Sequence, residues 1–336
     1  MGKRQVPVIA LTGYLGAGKT TVLNHLLQTP GARIGVVVND FGTINIDAAL
    51  VRGQVDEPAS IAGGCLCCMP DAGGLDDALG RLTNPRLRLD AVLVEASGVA
   101  EPAALAGIIR TCDAATARPG GLIDVVDAAA YLGTVDDDGP MPPVRFAAAS
   151  LVVINEVDRL PPGTRASTIA RITARVRERN PGVCIVETDR GRLDPALVLD
   201  VADTADPADE LPLAGWARHV HETVHHEHAD AVTVPVRAPV DAGRLADLLD
   251  DPPEGVYRLK GRVLVRTANG PRGRVLDLVG RQAHVTTDRV ADGAGALVAI
   301  GMHLDTLAVR TRLEQAVSPA TGLPATGTIR RLSRYR

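Results

Sequence analysis

The segment GYLGAGKTT, Gly13 to Thr21, grows out of the apolar run VPVIALTG of residues 6–13. The spacing G-x-x-x-x-G-K-[ST] is met by Gly13, Gly18, Lys19 and Thr20. No other feature constrains the fold as tightly, because such a loop needs a buried strand before it and a helix after it. Glycines let backbone N–H groups curl inward, and the helix N-terminus turns positive potential on whatever the loop encloses. Phosphate suits that arrangement. Lys19 is placed to reach β- and γ-phosphates and the Thr20 hydroxyl to bind Mg²⁺, while Gly16, Ala17 and Thr21 complete the loop. Only 3 lysines stand among the 36 basic residues. A lysine has been kept where the guanidinium fork of arginine fits badly.

Further apolar, β-rich runs follow: IGVVVND (34–40), AVLVEASG (91–98), LIDVVDA (122–128), LVVINEVD (151–158) and VCIVET (183–188). Short continuous runs of this kind suit strands buried on both faces of a parallel sheet. Helical patterns near 19–29, 74–82, 101–113, 164–180 and 194–203 lie between them. The alternation predicts an α/β fold, a doubly wound and mostly parallel sheet over residues 1–204, with ligands at the C-terminal ends of its strands.

The texture changes near residue 204. Residues 205–230 are polar and rich in Pro, Asp and His, and read as a linker. Residues 231–316 combine alternating strand patterns (VTVPVRAPV, GVYRLKGRVLVR, RVLDLVGRQAHVTT, ALVAIGM) with helical ones (DAGRLADLLDD, LDTLAVRTRLEQAV), which predicts a smaller α+β domain. Residues 317–336 show no periodicity and are expected to be a disordered tail.

Magnesium needs a second anchor, and Glu95 ends a predicted strand where a Walker-B acid belongs, with Gly98 placed to sense a γ-phosphate. NEVD (155–158) ends another strand. Most guanine nucleotide proteins carry N-K-x-D at such a place. Asp158 supplies the carboxylate that accepts from the guanine N1–H and 2-amino group, and Asn155 the amide that braces the loop. Glu156 replaces the lysine.

Three of the five cysteines fall together as Cys65-Leu66-Cys67-Cys68. Adjacent cysteines bridge poorly, a redox pair is more often C-x-x-C, and a structural zinc site wants four ligands. Three soft thiolates on one loop suit Zn²⁺, Co²⁺ or Cu(I) with one position open, as suits a metal that must be released. Cys112 and Cys184 lie inside helix and strand patterns and read as small buried hydrophobes. Five of eight histidines, His219, His221, His225, His226 and His228, crowd the linker. They form either a weak metal-capturing tract or an ordinary low-complexity linker.

Composition excludes several classes. The net charge is −4 with basic and acidic residues interspersed, so no basic nucleic-acid surface is expected. No apolar stretch reaches the length needed to cross a membrane, and the N-terminus lacks a myristoylation or secretory pattern. A cytoplasmic location with reduced thiols is expected.

With these motifs in place, the chain resembles the CobW-like family of P-loop GTPases, metallochaperones related to the urease and hydrogenase nickel-insertion GTPases. The likeness is carried by GYLGAGKTT, NDFGTINID (39–47), GGCLCC (63–68), EASGVAEP (95–102) and VVDA (125–128). YRLKG (257–261), IGMHLD (300–305) and the His-rich linker extend it over nearly the whole chain. The resemblance implies a GTP-hydrolysing protein that delivers a transition metal, zinc first and cobalt second, to a client metalloprotein. By position, Cys65, Cys67 and Cys68 would carry the metal. Gly16, Gly18, Lys19, Thr20 and Thr21 would bind phosphates and Mg²⁺, Glu95 would be the Walker-B acid, and Asn155 and Asp158 would read guanine. Asp47, in the segment that switches with nucleotide, would contact Mg²⁺ or the metal site. A homodimer formed with nucleotide or metal is a further expectation. Two departures stand out: Thr43 replaces the glutamate of N-[DE]-x-G-E, and Glu156 the usual lysine. No side chain stands out as a general base, so hydrolysis is expected to be slow without a partner or metal. A nucleotide-gated metal sensor that turns over no GTP is the rival of another class.

Overall fold

The structure, a computed structural model, describes residues 5–40, 43–47, 59–62, 73–96, 101–134, 144–199, 228–288, 295–319 and 326–335. These divide into two compact units, residues 5–227 and 228–336.

The first unit is built on an eight-stranded sheet. Its strands are β1 (Val6–Gly13), β2 (Ile34–Asp40), β3 (Thr43–Asp47), β4 (Ala59–Ala62), β5 (Ala91–Glu95), β6 (Ala117–Asp127), β7 (Leu151–Asn155) and β8 (Cys184–Glu187). They lie in the order β4-β3-β2-β5-β1-β6-β7-β8. Six of them, from β2 to β8 across the sheet, run parallel. The helices are α1 (Lys19–Leu27), α2 (Gly73–Leu82), α3 (Pro102–Thr111), α4 (Tyr131–Thr134) and α5 (Arg165–Arg179). Alternation along β1 separates the two faces of the sheet. Val8 and Ala10 join Leu79 of α2, Leu105 of α3 and Ile172 of α5 in one buried cluster. Ile9 and Leu11 are equally buried outside that cluster, as are Val22, Leu23 and Leu26 of α1. Burial on both faces is why the parallel strands read as unbroken apolar runs.

Two details depart from the sequence expectation. β3 and β4 extend the parallel sheet antiparallel at one edge. They are short, five and four residues, and although Thr43–Asp47 alternates polar residues with Ile44 and Ile46, neither is a continuous apolar run of the kind that marks the buried parallel strands. Of the helix expected over 194–203, the described residues 194–199 form instead a 3₁₀ turn, Pro195–Leu197, which the Asp194 side chain caps by accepting from Ala196 N; residues 200–203 lie outside the described residues.

The second unit is a five-stranded antiparallel sheet in the order β12-β11-β10-β13-β9. Its strands are β9 (Asp230–Val236), β10 (Val256–Val265), β11 (Arg272–Val279), β12 (Gln282–Asp288) and β13 (Gly295–Gly301). β9 and β10 flank β13 and are joined through a helix, which makes a split β-α-β unit. Helices α6 (Ala242–Asp250), α7 (Thr306–Val317) and α8 (Thr326–Leu332) share a core with one face of the sheet. Asp241 and Asp305 cap α6 and α7, each accepting from two backbone N–H groups of the first turn. A correction falls at the C-terminus, where the tail expected to lack structure carries α8. Leu332 is buried in the core, Arg331 pairs with Asp247 and Asp250 of α6, and the Tyr335 hydroxyl meets Asp250. Contacts from Arg331 and Leu332 at the end of α8, and from Tyr335 in the 3₁₀ turn Ser333–Tyr335 that follows, supply an order that the composition of the segment conceals.

Candidate functional site

β1 delivers the glycine loop onto the N-terminus of α1, and three glycines make the path possible. Gly16 takes φ 80 and Gly18 φ 93, left-handed values that suit a residue without a side chain. A Cβ on Gly13 would meet the Val125 carbonyl oxygen at 2.5 Å, and one on Gly18 the Asn155 Nδ2 at 2.2 Å. Sterics as well as torsions therefore demand glycine at both ends.

Lys19 opens α1 and is 7% exposed. Its ammonium donates to the carbonyl oxygens of Gly13 and Tyr14, each at 3.0 Å, and so folds back over the loop. Burial lowers its pKa and the nearby Arg145 charge adds to this, while Glu95 and Asp124 oppose it. A phosphate group would supply the counter-charge that carbonyls provide only in part. The Thr20 hydroxyl donates to Glu95 Oε1 at 2.6 Å. Glu95 reaches this point because β5 lies beside β1 with Leu11 opposite Glu95. A threonine hydroxyl and a buried carboxylate at one point are hard oxygen donors that fit Mg²⁺.

Asn155, at the end of β7, is 0% exposed and ties the loop to the neighbouring strand. Its Nδ2 donates to Ala17 O at 3.2 Å, and its Oδ1 accepts from Thr188 Oγ1 at 3.1 Å and Gly191 N at 2.8 Å. Glu156 follows in the left-handed region at φ 60 and turns the chain into the 3₁₀ segment Val157–Arg159. Asp158 in that segment pairs through Oδ2 with Arg190 Nε at 3.4 Å. Its Oδ1 is buried without a hydrogen-bond partner among the described residues.

The structure thus brings Gly13, Gly16, Ala17, Gly18, Lys19, Thr20, Glu95 and Asn155 together around one loop. Thr21 lies in the first turn of α1, and Asp158 lies three residues beyond Asn155. Cys65, Cys67, Cys68, Gly98, His219, His221, His225 and His226 lie outside the described residues. Asp47 ends β3, with its side chain outside them too, and His228 begins the second unit. Cys112 and Cys184 are half-buried, and burial pushes the Cys112 thiol up to about 11.

One cluster escaped the sequence reading. Asp124 of β6 is 0% exposed and receives Arg145 through two bonds, Nε to Oδ2 at 2.8 Å and Nη2 to Oδ1 at 2.7 Å. The Thr12 hydroxyl of β1 donates to Asp124 Oδ1 at 2.7 Å. The Arg145 guanidinium also lies over the Tyr14 ring, 4.1 Å from its centroid. Burial works against the Arg145 charge, but hydrogen bonding and attraction from Asp124 outweigh it and raise its pKa. Removing one partner from such a buried pair costs about 3–5 kcal/mol, because the other charge is left uncompensated. The signal was present in the sequence: Asp124 interrupts the apolar run LIDVVDA, and a buried charge in a central strand requires a partner.

A parallel strand, a glycine loop and a helix N-terminus assembled in this way are the construction of P-loop nucleotide-binding proteins. Comparison with known proteins narrows the class. Residues 7–184 match the family described as CobW/HypB/UreG, nucleotide-binding domain, and residues 229–317 match the cobalamin synthesis protein cobW C-terminal domain. The chain belongs to this CobW family. It is 30% identical to the zinc chaperone CobW of Pseudomonas aeruginosa, over 94% of this chain and 92% of the relative. It is 27% identical to the zinc chaperone CobW of a Sinorhizobium species, over 93% and 98% respectively. Among solved structures, the Zn(II)-bound YjiA GTPase from E. coli aligns over 94% of this chain and 100% of its own, at 18% identity and a TM-score of 0.42. No helix among the described residues is long and apolar enough to cross a membrane.

Proposed function

We propose that this chain is a GTP-hydrolysing metallochaperone that takes a transition metal, zinc first, at Cys65, Cys67 and Cys68 and hands it to a client protein under nucleotide control. The observation that carries the reading is the phosphate loop itself. Among the described residues the buried Lys19 ammonium donates to two carbonyl oxygens, and the Thr20–Glu95 contact gathers hard oxygen donors one residue further on. Guanine is supported by the buried Oδ1 of Asp158, which has no hydrogen-bond partner among the described residues and is an acceptor left for a base N–H. Thr20 and Glu95 would hold Mg²⁺, which would neutralise phosphate charge. Lys19 and the loop N–H groups would orient the phosphates and exclude water from their far side. Zinc as cargo is supported by the soft donor set of the C-x-C-C segment and by the zinc chaperones among the relatives. The cysteine segment lies in sequence between β4 and α2, and therefore between the edge hairpin and the strand that ends in Glu95. Loss of γ-phosphate contacts would release the thiolates from one arrangement, as order–disorder switches do.

The test is zinc and cobalt affinity measured by competition with a chromophoric chelator, with GTP–Mg²⁺ and then with GDP. GTP should tighten zinc binding severalfold, and the Cys65→Ser/Cys67→Ser/Cys68→Ser variant should lose it. Equal affinity in both nucleotide states would overturn the gating. A preference for cobalt would change the cargo. Absence of multiple-turnover phosphate release, with or without metal, would make the protein a sensor and not a chaperone.

A further inference from the structure

Two points on the phosphate loop are held from below. Asn155 grips its second half through Ala17 O, and Arg145 lies over the ring of Tyr14 in its first half. Leu15 and Gly16, between these points, are exposed. Arg145 is itself fixed. Its planar fork is satisfied by both oxygens of Asp124, and Asp124 is bonded to Thr12 on the strand that feeds the loop. Tyr14 is also one of the two residues whose carbonyl oxygens receive the Lys19 ammonium. Holding the Tyr14 side chain restrains the residue whose backbone carbonyl is one of the acceptors that park Lys19.

We propose that Arg145, clamped by Asp124 and stacked on Tyr14, is a positioning residue for the phosphate loop and sets nucleotide affinity without touching the nucleotide. The physical basis is preorganisation. A loop anchored at both halves has already lost the freedom that phosphate binding would otherwise remove. A lysine cannot replace Arg145, because it lacks the fork that holds Asp124 through two bonds while presenting a flat face to the ring. Arg145 acts in this way only if the loop binds nucleotide, as proposed above.

The experiment uses the full chain and a fluorescent N-methylanthraniloyl-GDP probe, with thermal unfolding of each variant measured without nucleotide. Tyr14→Leu removes the aromatic face and leaves the Arg145–Asp124 pair intact. It should weaken probe binding roughly two- to thirty-fold, the range a cation–π contact spans between exposed and desolvated settings. Arg145→Lys should weaken binding in the same direction without leaving Asp124 unpaired, and it keeps the test alive if Tyr14→Leu does not fold. Tyr14→Phe keeps the ring face and removes only the hydroxyl, which also attracts the Arg145 guanidinium, so it should weaken binding less than Tyr14→Leu does. Variants that lower the melting temperature yet bind the probe like the parent would overturn the proposal and leave Arg145 a purely structural residue. Equal losses in Tyr14→Phe and Tyr14→Leu would overturn it too, since the ring face would then be irrelevant. If the parent chain itself does not bind the probe, the nucleotide reading fails first. If the parent binds and the variants bind equally, that reading stands and only the role of Arg145 falls.

Discussion

Asn155→Ala is the sharpest perturbation of the site, because one buried amide serves three partners. The side chain is 0% exposed, donates to Ala17 O and accepts from Thr188 Oγ1 and Gly191 N. At about 0.5–1.5 kcal/mol net for each bond, the loss centres on about 3 kcal/mol, and the stranded Gly191 N–H pushes it upward. For a unit of this size that is a fall of about 6–12 °C in melting temperature, read by circular dichroism without nucleotide. A second substitution makes the test specific. Gly18→Ala alone should be costly twice over, through its φ of 93 and because its Cβ would sit 2.2 Å from Asn155 Nδ2. In the Asn155→Ala background the clash disappears and only the torsional cost remains, about 1–2 kcal/mol. The double variant should therefore be more stable than the sum of the single losses predicts, by about 1 kcal/mol or more. Additive losses would show that Asn155 does not pack against the loop. A fall of less than about 2 °C for Asn155→Ala alone would refute its role as the brace.

Three further outcomes are expected. Glu95→Gln keeps a hydrogen-bond acceptor for Thr20 but removes the charge, so Mg²⁺-dependent GTP turnover should fall on the order of a hundredfold while Mg²⁺-free GDP binding persists; unchanged turnover would remove Glu95 from the site. Leu332→Ala in α8 should cost about 2–4 kcal/mol in urea unfolding, because the side chain is 3% exposed in the core of the second unit, whereas Arg331→Ala on the exposed side should cost much less. The reverse order would mean that the tail is held by charge and not by packing. The Cys112 thiol is pushed by burial from 9.0 to about 11, so the folded state holds its proton more tightly than the unfolded chain. Its contribution to stability is complete below pH 9 and is lost between about pH 9 and 11. Alkylation of Cys112 at pH 8 should accordingly lag behind that of a free thiol such as glutathione, and an equal rate would contradict the burial.

The parts of the fold written in local pattern were legible from the chain alone. β1, β5 and β7 are unbroken apolar runs because helices or loops cover both faces, and Gly13 and Gly18 of the loop spacing are required by sterics that the structure shows at 2.5 Å and 2.2 Å. What escaped was written in pairs distant along the chain. Asp124 and Arg145 stand 21 residues apart, so neither declares its partner. The first appears only as a flaw in an apolar strand, the second only as one arginine among many. α8 escaped for the same reason, since Leu332 gains meaning only against α6. A buried charge in a central strand is nonetheless a demand that the fold must meet, because leaving it unpaired would cost several kcal/mol. Asp124 therefore announced a buried cation somewhere in the chain. Here that cation meets the demand from the segment before β7, and in doing so it lies across Tyr14. The structural requirement of one strand has thereby become a handle on the loop that the proposed chemistry depends on.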